Sequence, residues 1–560
     1  MLQRTAKAAV ILIHTEIHGH KEVNMARKAK LTIHPKFKIG EISPRLFSTF
    51  LEPIGTMVNG TMYNPKHPTA DENGFRTDFI DALKQTGMPA VRLPGGNYVS
   101  CWDWKDSIGP KSERKTHLDL AWHQYITNDV GHDEYLKWAE LVNTEAMYTA
   151  NLGTGDIRDA IALVEYTNHE GGSYWSDLRR KNGHEKPYGV KTWYLGNEMD
   201  GPWQIGSWEK DPRGYGVRVN EISKAVKWVD GSIETAVCAS SAPFMSHYPQ
   251  WEEDVLQQCY ESVDYISMHH YHVAPPGDYH ALLGGSIYYE DYINTEIALC
   301  DLIQTKMRSP KKLMLSIDEY GTMARPNGEL HPGWGPHSIY ASHYVFDPNR
   351  KYIRHDPDKM PDREFPGGDM MHLLTTASTL LAFIRHADRV KIACMTGGLG
   401  ALCSSNHDHV WKSASHYMFA QFIRFAKGMS LQVATDCETF DIPGYAIDDN
   451  SQYATREGLN YIDSCAAWDE SRGALNIFVI NRSDENEYPL EIDLTGFGSA
   501  YLIEHLEMYS EDMSVKNTYE SPDNLLPKVN KETEIIDGTL TTHVKPLSWN
   551  VIRVDCGIAF

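Results

Sequence analysis

The stretch Thr192-Trp193-Tyr194-Leu195-Gly196-Asn197-Glu198 reads as a short strand that delivers an amide and a carboxylate at its C-terminal end. A helical pattern precedes it at Ile157–Asn168 and another follows at Gly216–Val229. The alternation extends both ways. Strand-like runs recur at Leu46–Glu52, Pro89–Asn97, Met147–Leu152, Glu234–Ser240, Val263–Tyr271, Leu313–Glu319 and Arg389–Met395. Helical patterns intervene at Arg76–Thr86, His132–Asn143, Trp251–Glu261, Tyr292–Met307 and Met370–His386. Eight strands alternating with helices predict a (β/α)8 TIM barrel.

The strand ends support that reading. Glu52, Arg92 with Asn97, Asn151, Asn197 with Glu198, Ser240 with Ser241, His269 with Tyr271, and Glu319 all fall there. Barrel active sites are built at the C-terminal ends of the strands. Ordinary loop-start polarity explains any one of these residues but not the set.

After about Lys427 the pattern changes to short alternating runs at Ala474–Ile480, Tyr488–Leu494, Ala500–Met508 and Trp549–Val554, separated by turn sequences. This predicts a β-sandwich. The expected division is a disordered extension over 1–27, a strand over 28–40 that joins the sandwich, the catalytic barrel over 41–427 and the sandwich over 428–560. Residues 324–366, rich in Pro, Gly, His and Asp, form a long insert after the seventh strand, expected to overhang the barrel mouth.

Composition narrows the function class. A net charge of −22 on 560 residues argues against nucleic acid or an anionic membrane as partner. No apolar run reaches the roughly 18 residues of a spanning helix. The nine cysteines are scattered, odd in number and without metal spacing, which points to free thiols in a reducing, cytoplasmic setting. The short apolar run Ala8–Ile13 reads as part of the extension rather than a signal peptide.

Two strand ends carry glutamates suited to glycoside hydrolysis, which needs one carboxyl to protonate the leaving oxygen and another to attack the anomeric carbon or activate water. Glu198 and Glu319 are the candidates, with Asn197 positioned to bond a sugar hydroxyl. For a lone glutamate, a surface or ion-pair role is the ordinary one; strand-end placement and the Asn-Glu pair favour chemistry here. Two other motifs compete. His269-His270-Tyr271-His272 resembles a metal site, but neighbours on a strand point to opposite faces and no acidic ligand spacing accompanies them. Gly397-Gly398-Leu399-Gly400 follows the eighth strand, where barrels often bind phosphate, but lacks a nearby lysine. Neither a metal nor another cofactor is expected.

From about residue 30 onward the chain resembles glycoside hydrolase family 51, the α-L-arabinofuranosidases. The resemblance rests on Arg92-Leu-Pro-Gly-Gly-Asn97, Asp119-Leu-Ala-Trp122, Leu195-Gly-Asn-Glu-Met-Asp-Gly-Pro-Trp-Gln-Ile-Gly206, His386-Ala-Asp-Arg-Val-Lys-Ile-Ala-Cys394 and Leu547-Ser-Trp-Asn-Val-Ile-Arg553. It implies a barrel with a jelly-roll sandwich, a homo-oligomer (a hexamer), and exo-acting hydrolysis with retention on arabinofuranose-containing oligo- or polysaccharides. It also implies that Glu198 is the acid/base and Glu319 the nucleophile. Glu52, Asn97, Asn197 and Tyr271 would bind the furanose, Arg92 would support the nucleophile, and Trp104 and Trp122 would lie near the cleft.

The chain departs from the family pattern after the nucleophile, where Tyr320-Gly321-Thr322-Met323 replaces Trp-Asn-Val-Trp. Gly397 stands where the family has a sugar-contacting glutamine. A glycine there predicts a wider pocket, hence an alternative reading as a β-D-galactofuranosidase. A metal-dependent sugar isomerase and a non-catalytic carbohydrate-binding protein are the more distant alternatives.

Overall fold

Eight parallel strands close on themselves in chain order in the computed structural model, which describes residues 28–275, 277–323, 351–356, 368–446 and 452–557. Strand β1 (Ala29–Glu41) lies outside the ring. The barrel strands are β2 (Ser48–Phe50), β3 (Ala90–Leu93), β4 (Glu145–Ala150), β5 (Thr192–Leu195), β6 (Glu234–Cys238), β7 (Tyr265–Val273), β8 (Met314–Met323) and β9 (Val390–Met395). Strand β9 pairs with β2 through Cys394–Ser48 and Met395–Thr49 and shuts the ring. All eight expected strands are present, most of them shorter than the sequence pattern, because several predicted residues at their C-terminal ends belong to the loops that carry the polar groups.

Helices α1 (Thr77–Thr86), α2 (His132–Val142), α3 (Ile157–Asn168), α4 (Pro212–Val229), α5 (Gln250–Cys259), α6 (Ser286–Met307), α7 (Met370–Arg385) and α8 (Ala414–Phe425) surround the ring. Local chemistry sets their ends. The Asp156 carboxylate accepts from the Arg158 and Asp159 amides at the start of α3, and Gly87 turns the chain left-handed after α1. Helix α7 is apolar nearly all round, and 14 of its 16 residues are buried. It is covered on both sides because it lies between the barrel and the C-terminal strands, where Ser378 and Arg385 bond the buried Asp463.

The strands of the C-terminal sheet are β10 (Met429–Asp436), β11 (Ile462–Asp469), β12 (Ala474–Asn481), β13 (Tyr488–Asp493), β14 (Tyr501–Met508), β15 (Lys528–Val529), β16 (Glu534–Ile536), β17 (Thr539–Val544) and β18 (Ser548–Asp555). With β1 they form one ten-stranded sheet in the order β15-β14-β18-β12-β11-β10-β1-β13-β17-β16. Leu31 and Ile33 from β1, Ile477 and Val479 from β12, Leu490 and Ile492 from β13, and Val554 from β18 share one core. The sheet therefore wraps around its own interior. Strand β1 pairs antiparallel with β10 and parallel with β13. Trp549 on β18 packs on Phe422 of α8 and donates to Gln421 at 2.7 Å, joining the sheet to the barrel's last helix.

The 1–27 extension and most of the 324–366 insert lie outside the described residues. The described part of the insert adds to the Gln124–Ile126 edge: the Tyr125 amide donates to the Ile353 carbonyl at 3.0 Å, and the Ile353 amide to that of His123 at 2.9 Å. It thus runs beside the hairpin that holds Trp122. All nine cysteines are free. Among the described residues no helix is long and apolar enough to cross a membrane.

Candidate active site

Glu319 lies on β8 at a register shift between Ser316 and Glu319 against β7. The irregularity breaks strict alternation, so consecutive Asp318 and Glu319 both reach Arg92. The guanidinium of Arg92, fully buried on β3, donates to Glu319 Oε1 at 2.7 Å and lies 3.0 Å from Asp318 Oδ2. Its other terminal nitrogen donates to Asn197 Oδ1 at 2.7 Å. Phe50 and Tyr194 sandwich the cation, with ring centroids 5.1 and 4.9 Å from Cζ. A buried charge is tolerated because two carboxylates and an amide meet its fork.

Glu319 Oε2 accepts from the Tyr271 hydroxyl at 2.7 Å, and that hydroxyl lies 2.8 Å from Thr396 Oγ1. Burial, reinforced by the Glu319 charge, pushes the Tyr271 phenol well up, so it remains a donor.

Glu198 follows β5 in a left-handed backbone conformation, φ 45°, which a side-chain-bearing residue rarely adopts. Its carboxyl is about 10% exposed. Oε2 accepts from Trp203 Nε1 at 2.7 Å and Oε1 lies 3.1 Å from His269 Nδ1. Burial raises the Glu198 carboxyl above its ordinary range; the His269 contact opposes this and the nearby Glu319 charge adds to it.

His269 binds the two carboxyls together. Its Nδ1 lies 3.1 Å from Glu198 and 3.7 Å from Glu319, and its Nε2 lies 3.2 Å from Asp318. Burial works against a charge on this ring, but Glu319, Asp318 and Glu198 outweigh it and lift its pKa to about 10. Burial likewise pushes Asp318 upward, yet Arg92 and His269 hold it below the usual range.

Glu52 lies near Glu319, whose charge acts on it. Its Oε1 accepts from the Tyr98 amide and from Trp122 Nε1, both at 2.8 Å. Burial and then the Glu319 charge push Glu52 well up, favouring a carboxyl that can donate as well as accept. Gly96, at φ 83°, is required here: a Cβ would fall 2.3 Å from the Glu52 carboxyl carbon. Asn97 Oδ1 accepts from Asn197 Nδ2 at 2.9 Å and also from Gln204.

The structure thus gathers Arg92, Asn97, Asn197, Glu198, Tyr271 and Glu319 in one network through His269, with the Glu52–Trp122 pair near enough for the Glu319 charge to act on it. It does not gather Trp104, which is 4% exposed and packs among His132, Tyr166 and Trp175. Tyr320 points outward, edge-on to Phe383. Gly397 begins the short helix Gly398–Leu402 at φ 68°, ψ 5°, so the backbone itself favours glycine at this point and the residue needs no enlarged sugar to explain it. Asp318, Trp203, Gln204 and Thr396 were not anticipated. His269 and Tyr271 face the carboxylates, while His270 and His272 turn away toward Tyr289 and Tyr453, as strand alternation requires.

Among the described residues, Glu198, His269 and Glu319 are the group that could hold a metal ion, with one ligand atom of each within 4.8 Å of the others. The donor set fits such an ion poorly. Each carboxylate oxygen already faces a donor, and the Arg92 cation occupies one of them.

Comparison with known proteins agrees with this geometry. Residues 82–290 match the model of the α-L-arabinofuranosidase 1 domain, and residues 355–548 that of the α-L-arabinofuranosidase C-terminal domain. An intracellular exo-α-(1→5)-L-arabinofuranosidase of Bacillus subtilis is 36% identical over 94% of this chain and 99% of its own. An exo-α-(1→6)-L-arabinofuranosidase of Bifidobacterium longum is 30% identical over 96% and 99%. A family 51 α-L-arabinofuranosidase of Bifidobacterium longum superposes with a TM-score of 0.81 at 28% identity over 94% of this chain and 99% of that one. The Thermotoga maritima α-L-arabinofuranosidase in complex with arabinose gives 0.79 at 26% over 94% and 99%. A paired-carboxylate site at the mouth of a parallel barrel, a C-terminal β domain and near-complete alignment with these enzymes lead to one conclusion: the chain belongs to the α-L-arabinofuranosidase family.

Proposed function

We propose that the protein releases terminal non-reducing α-L-arabinofuranosyl residues from arabino-oligosaccharides with retention, Glu319 acting as nucleophile and Glu198 as acid/base. The observation that carries this reading is the proximity of the two carboxyls. Oxygens of Glu198 and Glu319 come within 4.8 Å of each other across His269, close to the roughly 5–5.5 Å of retaining enzymes and short of the roughly 6.5–9.5 Å that leaves room for a water.

In the first step Glu319 attacks the anomeric carbon, the glycosidic bond breaks, and the Glu198 proton goes to the departing oxygen. In the second, Glu198 takes a proton from water, the water oxygen attacks the same carbon, and the bond to Glu319 breaks. The raised Glu198 carboxyl suits the acid role. The Arg92 and Tyr271 donors aim Glu319, and Glu52, Asn97 and Asn197 supply polar groups for the furanose hydroxyls.

The relatives differ in the linkage they are named for, 1→5 or 1→6, and paired disaccharides would reveal which this enzyme prefers. Nine free thiols and the intracellular relatives support a cytoplasmic setting. The family resemblance supports a homo-oligomer, a hexamer, which sedimentation would measure.

The deciding experiment is hydrolysis of an aryl α-L-arabinofuranoside by wild type, Glu319→Ala and Glu198→Ala with added azide. The expected result is that Glu319→Ala is inactive and yields the inverted glycosyl azide, whereas Glu198→Ala yields the retained one. Exchange of those two products would reverse the assignment, and a wild type inactive on the substrate would overturn the sugar.

A further inference from the structure

Two residues beyond Glu198, the side chain of Asp200 is fully buried and makes bonds that no substrate contact requires. Its Oδ2 accepts from the Ser241 amide at 3.0 Å and lies 2.8 Å from His247 Nε2, while Oδ1 accepts from the Ser241 hydroxyl. Ser241 and His247 belong to the loop between β6 and α5. That loop is itself anchored, because the Ser240 amide donates to Glu252 at 2.7 Å and its carbonyl accepts from Tyr292 at 2.7 Å.

Glu198 needs such support. Its left-handed conformation at φ 45° costs on the order of 1 kcal/mol or more unless the surroundings impose it. The segment after it turns sharply: the Gly201 amide donates to the Glu198 carbonyl at 2.8 Å, and the Trp208 amide to that of Met199 at 2.7 Å. Trp203, which bonds the Glu198 carboxyl, is carried on the same turn. Asp200 is therefore the point at which the turn bearing both the carboxyl and its indole partner is fastened to the neighbouring barrel loop.

We infer that Asp200, fixed by Ser241 and His247, is a positioning residue that holds Glu198 where its proton reaches the leaving oxygen. This rests on the reading of Glu198 as acid/base. A loose acid handicaps substrates whose leaving group needs a proton and spares those whose leaving group departs as a stable anion, whereas general loss of structure handicaps both.

The test is kcat/KM of Asp200→Asn, beside wild type and Glu198→Ala, on methyl and 2,4-dinitrophenyl α-L-arabinofuranosides. The expected result is a loss of about tenfold or more on the methyl glycoside, with the dinitrophenyl value within about threefold of wild type. Equal losses on both, or none on either, would overturn the inference. If Glu198→Ala itself fails to discriminate between the substrates, the acid/base reading falls; if only Asp200→Asn fails to, the positioning role alone falls. Should Asp200→Asn not fold, His247→Ala is expected to discriminate in the same way and His247→Gln, which keeps a donor, to restore the wild-type ratio. Identical behaviour of those two variants would equally overturn the inference.

Discussion

Arg92 and Asn197, 105 residues apart, meet at 2.7 Å, so the cation that grips Glu319 also grips the residue next to Glu198. One buried guanidinium thus references both halves of the carboxylate pair to the same strand. Replacing it with lysine keeps a charge but loses the planar fork. Arg92→Lys is expected to lower kcat by about 10²–10³-fold. It should also cost about 1–3 kcal/mol of stability, because one ammonium cannot meet Asp318, Glu319 and Asn197 together and leaves a buried acceptor unpaired. Steady-state rates and denaturant unfolding measure the two effects, and a variant of ordinary stability would show that the pair contributes specificity rather than stability.

His269 gives stability a particular pH dependence. Its folded pKa, raised from 6.5 to about 10 by three carboxylates working against burial, means that the folded state holds a proton the unfolded state has released between those values. The contribution is complete below about 6.5 and is lost as pH rises through about 10. Urea midpoints are expected to fall from pH 7 to pH 10 in wild type and to fall less in His269→Gln. Equal declines would place the proton elsewhere.

Trp203 favours the charged form of Glu198 by donating to it. Trp203→Phe keeps the ring and removes the donor, so the carboxyl should hold its proton to higher pH. The alkaline limb of the kcat/KM profile is expected to move upward. A downward shift would mean that the indole acts by packing rather than by its hydrogen bond.

Gly397 is explained by backbone rather than by room for a larger sugar. Gly397→Ala is expected to cost about 1 kcal/mol of stability, since the left-handed conformation penalises a Cβ. The ratio of arabinofuranoside to galactofuranoside turnover should stay unchanged. A changed ratio would return the residue to the sugar pocket.

The barrel was legible because eight apolar runs alternate with helical patterns and seven of them stop at polar residues, a set that is hard to produce by chance. Glu198 and Glu319 were legible for the same reason. Asp318 was not: alternation puts it on the opposite side from Glu319, and only the register shift after Ser316 brings both inward. The three-carboxylate environment of His269 was equally invisible, because its partners come from two distant places in the chain, Glu198 and the Asp318-Glu319 pair, and a His-rich run suggests metal instead. Trp104 shows the converse: the family resemblance implies an aromatic near the cleft, while the ring is buried against His132, Tyr166 and Trp175.

The seat of β1 in the middle of the C-terminal sheet bears on how the chain is made. Its two neighbours, β10 and β13, leave the ribosome on the order of 400 residues later, about 20–80 s at roughly 5–20 residues/s. Throughout that interval Leu31 and Ile33 have no sheet to join, and the nascent strand must be shielded or remain exposed to misassembly. Biogenesis, more than the finished fold, therefore sets how well this polypeptide tolerates being cut into separately produced halves: the barrel closes on itself, but the C-terminal segment expressed alone lacks β1 and leaves the facing edges of β10 and β13 unpaired.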